Sequence, residues 1–478
     1  MGLYGSILYQ LLTQKKELFD PVLSNIPRKA VSDGIKTAWE WHRLELPIYL
    51  KECLLSALDS APLTLFVDAL DECEESSREE MFQFFHDLCQ ESRSKPNRVR
   101  ICVSCRPYPN VVDVADFEIC VDKHNERDIQ AYLQQRLGSI GMSHNSETEL
   151  KDHIVDRASG VFQWVNLVVL EIRRMHNDGA SLKFMLKKVA KTPQQLDELY
   201  TQILATVKDE EVSMTWRLLI WVCLASRPLT LDELRHAIIL DPEQPFPSAK
   251  EYRDSDNMCD DLEGMERQMR SLSKGLVQTR SQGKEKTAVF VHQSVGDFLQ
   301  RRGLRGLSER MQYKTGIEAD MTGLAHEHLC RICLGFLFME GMHHVRYGTT
   351  DEQSHESVVP AKFLDYAVNS WPIHAQYADE HGISQAGLAA CFHWPSNERM
   401  AIWVRLYEAL NTTNSLCLPQ PITLARLSAE FNLYSTLERI LTLSSEIGEP
   451  IDQQELTLLP STSNRERRDE LTASRIHR

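Results

Sequence analysis

No stretch of this 478-residue chain holds the ~18 consecutive apolar residues that a bilayer-spanning helix needs, so no membrane span is expected. Positive charge is also scarce. Lys and Arg number 53 against 68 Asp and Glu, a formal charge of −15, which argues against a general nucleic-acid binder. Local basic patches are compatible with that total. The 12 cysteines show no short, even framework of the disulfide kind, and in a chain this long they read as reduced thiols of a cytoplasmic protein. The basic leader of a secretory signal is missing too. Met1-Gly2-Leu3-Tyr4-Gly5-Ser6 fits the loose myristoylation pattern, but Leu3, Ile7, Leu8, Leu11 and Leu12 already explain this segment as one face of an amphipathic helix. The most consequential absence is a motif. G-x-x-x-x-G-K-[ST], the loop that grips nucleotide phosphates, occurs nowhere in the chain.

What is present starts with Leu63-Thr64-Leu65-Phe66-Val67-Asp68-Ala69-Leu70-Asp71-Glu72-Cys73, an apolar run ending in three carboxylates. A parallel strand buried on both faces is apolar at nearly every position, and open α/β sheets bind ligands beyond the carboxyl ends of such strands. Ser76-x-x-Glu79 and Ser77-x-x-Glu80 are capping-box patterns, after which Met81, Phe82, Phe85, Leu88 and Cys89 recur at helical spacing. Val99 to Cys105 reads as a second buried strand and Phe117 to Val121 as a third. This rhythm marks a parallel sheet with crossover helices.

Beyond that point the chain reads as mainly helical, including a long helix from Ile154 to Met175. Three helices followed by strands around Gly283 are the ingredients of a winged helix, and Thr230-x-x-Glu233 caps the second of them. Ile422 to Leu443 has the pattern of one degenerate ankyrin-type helical pair. The fold expected is α/β followed by mainly α. Its boundaries are a partial nucleotide-binding domain over 1–125, a helical lid-like domain over 126–210, a winged helix over 211–305, a helical region over 306–450 with a polar loop at 348–357, and a disordered tail over 451–478.

The chemistry centres on the acids. Mg²⁺ is a hard cation that bridges carboxylates to nucleotide phosphates, so Asp68 at a strand end suits it, while Asp71 or Glu72 could orient an attacking water. Arg106, ending the neighbouring strand, suits a terminal phosphate because the guanidinium fork matches its oxygens. Cys102 and Cys105 lie three apart on a strand and so point to opposite faces, which favours core thiols over a metal or redox pair. His326, Cys330 and Cys333 fall on one face of a helix at zinc-ligand spacing, but no second ligand cluster accompanies them. His292 reads locally as a packed histidine at the end of a wing strand.

Taken in order, these segments resemble the fungal NACHT proteins of the signal-transducing P-loop NTPase class, including those with a nephrocystin-like N-terminal domain. Phe66 to Cys73 is similar to their Walker B, with the small residue directly after the magnesium aspartate. Arg100-Ile101-Cys102-Val103-Ser104-Cys105-Arg106-Pro107 is similar to their sensor strand. Further matches are Gly160 to Val165, Arg227 to Leu234, Phe290 to Leu299, and Phe363 to Ala367 with Trp371-Pro372, the last resembling a segment that precedes ankyrin repeats. The resemblance implies ATP or GTP with Mg²⁺ as cofactors, a histidine at the position of His292 that senses bound diphosphate, and protein partners that include self-association. It also implies that Leu3 to Leu12 corresponds to the helix downstream of the P-loop, so the chain starts after that loop. The expected function is therefore a regulatory switch or scaffold with impaired nucleotide binding. The alternatives are an active Mg²⁺-dependent hydrolase using Asp68, Glu72 and Arg106, or a purely interacting scaffold.

Overall fold

The computed structural model describes residues 2–16, 45–70, 73, 75–105, 117–283, 285–311, 320–341, 361–411 and 422–447. Asp71, Glu72 and Arg106, the polar loop at 348–357 and the tail over 451–478 lie outside the described residues. The chain divides after His124 into two units.

In the first unit, α1 (Gly2–Gln14) and α2 (Glu45–Ala57) turn Leu8 and Leu11, and Leu50, Leu54 and Ala57, into a common core. β1 (Leu63–Val67) pairs in parallel with β2 (Val99–Val103), Leu63 opposite Val99 and Val67 opposite Val103. α3 (Glu75–Ser92) is the crossover and buries Met81, Phe85 and Leu88. Four expectations fail here. The helix begins at Glu75, so Ser76 and Ser77 lie inside its first turn and not at its cap. Among the described residues the strands are covered on one face only: Leu65, Val67 and Ile101 face the helices, whereas Thr64, Phe66, Arg100 and Cys102 are exposed, Phe66 at 80%. Cys102 and Cys105 are exposed, not the core thiols expected. No third strand forms among the described residues. Residues 117–120 are irregular and a 3-10 turn follows over Val121–Lys123, with Phe117, Ile119 and Val121 all exposed.

The second unit opens with α4 (Glu126–Gly138), α5 (His144–Ala158), α6 (Phe162–Asn177), α7 (Leu182–Lys191) and α8 (Leu196–Ala205). The expected single helix from Ile154 to Met175 is two. Ser159 and Gly160 adopt left-handed backbone (φ 47° and 77°), which stops α5, and the Asn125 side-chain amide donates to the Gly160 carbonyl at 2.6 Å. Trp164, fully buried, donates its indole N–H to the Pro193 carbonyl at 2.5 Å.

α9 (Val212–Leu224), α10 (Leu231–Ala237), α11 (Ala249–Arg253) and α12 (Leu262–Leu272) precede an antiparallel wing, β3 (Val277–Gln282) with β4 (Glu285–Phe290). The capping box at α10 is complete: the Thr230 hydroxyl accepts from the Glu233 N–H, and the Glu233 carboxylate accepts from the Thr230 N–H at 2.8 Å. α13 (Gln293–Phe298) runs through a π-type turn over Leu299–Gly303 into α14 (Leu304–Arg310). α15 (Met321–Leu337) and α16 (Ala361–Glu380) then pack along each other, followed by α17 (Gly387–Cys391), α18 (Glu398–Leu410), and the pair α19 (Leu424–Glu430) and α20 (Tyr434–Ile447). Trp221 sits at the centre of this unit, edge-on to Phe363 and Tyr366. The architecture is a small parallel sheet with helices, then a mainly helical body that carries a winged helix.

Candidate functional site at the carboxyl end of the parallel pair

Because Val67 pairs with Val103, the next residues, Asp68 and Ser104, come out side by side. The backbone crosslinks continue past the ladder. The Ser104 N–H donates to the Val67 carbonyl at 2.9 Å, and the Leu70 N–H donates to the Ser104 carbonyl at 3.0 Å. Between them Ala69 takes a left-handed conformation (φ 52°), which costs a non-glycine residue roughly 1–2 kcal/mol. Buried Leu70 anchors the far side of the turn.

Ser104 Oγ accepts the Ala69 N–H at 2.8 Å, which directs the hydroxyl proton to Asp68 Oδ1, and that short hydrogen bond orients an exposed carboxylate. The sequence reading assigned no role to Ser104. Its signal was available as a small hydroxyl residue one position past the sister strand, but its function depends on the register between the strands.

Among the described residues no group of three or more His, Cys, Asp or Glu is placed to hold a metal. Asp68 therefore offers one oriented carboxylate, not a closed cage. That donor set fits Mg²⁺, which is commonly bound through one or two carboxylates plus substrate phosphates and keeps several waters.

His292 lies in the second unit, exposed, where β4 passes into α13. The Ser294 N–H, which can only donate, reaches His292 Nδ1 at 3.2 Å, so Nδ1 is the ring acceptor and the neutral ring carries its proton on Nε2. The Ser294 hydroxyl, 2.7 Å from Nδ1, then donates to it and accepts from the Tyr200 hydroxyl at 2.7 Å. Burial raises the Tyr200 pKa, which keeps that donor protonated. This relay ties the end of the wing to α8.

The third candidate set resolves differently. His326, Cys330 and Cys333 are all buried on α15, and His326 Nδ1 faces His374 Nδ1 at 2.9 Å. Burial pushes both thiols up, as in an apolar core.

Residues 1–106 match the family model described as Nephrocystin 3, N-terminal, and residues 202–307 match that described as GPI inositol-deacylase, winged helix domain. The chain is 24% identical over 309 residues to the Vegetative incompatibility protein HET-E-1 of Podospora anserina, a match covering 61% of this chain and 20% of that protein. It thus spans about a fifth of the length of this relative. Together with the ordered motifs, these matches support the assignment of this chain to the fungal NACHT family of signalling NTPases.

Proposed function

We propose that this chain is a regulatory NACHT-type module, a cytoplasmic switch or scaffold working through protein partners and self-association, in which nucleotide binding is impaired. The observation that carries the reading is the Asp68–Ser104 pair. A carboxylate oriented for a hard cation stands at the end of a parallel strand, in a chain whose 478 residues contain no G-x-x-x-x-G-K-[ST] loop. Without backbone N–H groups wrapped round the phosphates, one carboxylate holds Mg²⁺-nucleotide weakly.

In this reading Asp68 takes the Mg²⁺ of ATP or GTP, Asp71 or Glu72 orients the attacking water, Arg106 contacts the terminal phosphate, and His292 keeps the diphosphate-sensing role of the family's histidine. The winged helix acts as a clamp within the protein, and α19 with α20 is a single degenerate ankyrin-type pair.

Calorimetric titration of the purified chain with Mg²⁺-ATP and Mg²⁺-GTP tests this. The expected Kd is on the order of 1 mM, about −4 kcal/mol, with the residual signal abolished in Asp68→Ala. Submicromolar affinity with turnover that Asp68→Ala removes would establish the hydrolase instead. Binding indifferent to Asp68→Ala would remove the carboxylate from the site.

A further inference from the structure

The sequence total of −15 conceals one strongly basic face. From Arg173 to Lys191 the chain carries Arg173, Arg174, Lys183, Lys187, Lys188 and Lys191 against the single acid Asp178, six positive charges less one, or +5. Most of these sit on α7. Its inward side is Met185 and Val189, both buried, with Leu182 and Leu186 partly buried beside them. At 100° per residue the opposite side reads Phe184, Lys187, Lys191 (i, i+3, i+7), flanked by Lys183 and Lys188. Ser181 fixes the start of the helix, its hydroxyl accepting the Phe184 N–H at 3.3 Å. Lys183, Phe184, Lys187 and Lys191 are exposed, Phe184 at 56%.

Two features separate this face from an ordinary solvated helix. Several exposed cations elsewhere on this unit are paired: Arg270 and Lys286 with Glu266, Arg301 with Asp197, and Arg331 with Glu243. Among the described residues no ion pair involves any of the four α7 lysines or Arg173. The one large apolar side chain on the face, Phe184, also stands exposed amid the lysines.

We infer that the outward face of α7 is a docking surface for an anionic lipid bilayer. Charge complementarity selects the partner. A bilayer bearing phosphatidylserine offers a sheet of negative headgroups to a convex row of ammonium groups, and an apolar layer just below for one aromatic ring. The lysine stems lie along the interface while their heads stay in the headgroup region. A nucleic-acid strand suits the face less well. The patch is one helix of ten residues, about 15 Å long, with no groove to track a phosphodiester backbone and a strongly acidic chain around it.

Flotation of the full chain with vesicles tests the proposal. With phosphatidylcholine containing about 30 mol % phosphatidylserine, the protein is expected to float at about 0.15 M salt and to be released at about 1 M, where screening collapses the field. It should not float with phosphatidylcholine alone. The triple variant Lys183→Gln, Lys187→Gln, Lys191→Gln should lose about a hundredfold in partitioning, roughly fivefold per lysine. Phe184→Ser should lose about tenfold. All four positions are exposed, and unchanged circular dichroism shows that the variants fold. No flotation, or equal flotation with neutral vesicles, overturns the proposal. So does a Phe184→Ser variant that floats undiminished, and tighter binding of the wild type to single-stranded RNA than to the vesicles would give the face to nucleic acid.

Discussion

Four buried histidines of the second unit are held neutral by their surroundings. Burial lowers the pKa of His236 and His326 to about 4, and of His328 and His374 to about 3. Two of them share one chain of hydrogen bonds. The Tyr366 hydroxyl accepts the Ser226 N–H at 2.9 Å and pairs with His374 Nε2 at 2.9 Å. His374 Nδ1 in turn pairs with His326 Nδ1 at 2.9 Å, which requires one neutral ring to donate and the other to accept, and Tyr377 stacks on the His326 ring. A second proton on the accepting ring would set two N–H groups against each other. The unfolded chain binds protons at an ordinary histidine pKa near ~6.5, whereas the folded one does not until about 4 or below. The stabilisation is therefore fully present above pH ~6.5 and is lost as pH falls toward 4, by up to about 1.4 kcal/mol per pH unit for each such histidine. Urea unfolding at a series of pH values from 7 to about 4.5 should show stability falling with acidification, and His374→Phe should flatten the slope. A slope unchanged in the variant would mean that His374 titrates alike in both states.

At the scale of elements, two glycines on α15 make opposite predictions. A Cβ on Gly323 would stand 2.7 Å from His381 Cβ and 2.8 Å from Ile383 Cγ1, just beyond the end of α16, so the helix comes close there because no side chain intervenes. Gly323→Ala should destabilise by about 1–3 kcal/mol through overpacking. Gly335 lies on the exposed side of the same helix with nothing within 4 Å of a Cβ, so Gly335→Ala should stabilise by about 0.5–1 kcal/mol. Thermal midpoints of the two variants moving in opposite directions would confirm that contact, not helix propensity, keeps Gly323. Elements governed by local chemistry were legible in the sequence: the Thr230–Glu233 cap, the Met81-Phe85-Leu88 face of α3, and Asp68 at the end of an apolar run. Elements governed by distant partners were not. Phe117, Ile119 and Val121 alternate as a strand does, yet a strand needs a neighbour and none is present among the described residues. Leu63 to Val67 reads as buried on both faces because apolar spacing records what a strand tolerates, while the described helices cover only one side. Ser104 acquires its role only when register brings it beside Asp68.

At the scale of the whole molecule, the described residues form two hydrophobic cores of unequal size. The first joins Leu8, Leu50, Leu54, Phe85 and Leu88 beneath a pair of five-residue strands, whereas the second runs continuously from Ile129 to Ile440 and includes Trp164, Trp221, Trp371 and Trp403. A two-stranded sheet is marginal by itself, so the first unit depends on the helices packed on one face. Stability differences of this kind determine which part of a switch opens first, since segments with little buried apolar surface unfold locally at the lowest cost. Hydrogen exchange on the full chain should therefore release the amides of β1 and β2 well before those of α9, whose Leu218, Leu219, Ile220 and Trp221 are completely buried. A fragment spanning residues 125–447 is expected to unfold cooperatively on its own, because its core is closed by its own helices. Simultaneous exchange of both units, or a fragment with no cooperative transition, would show instead that the two cores fold as one.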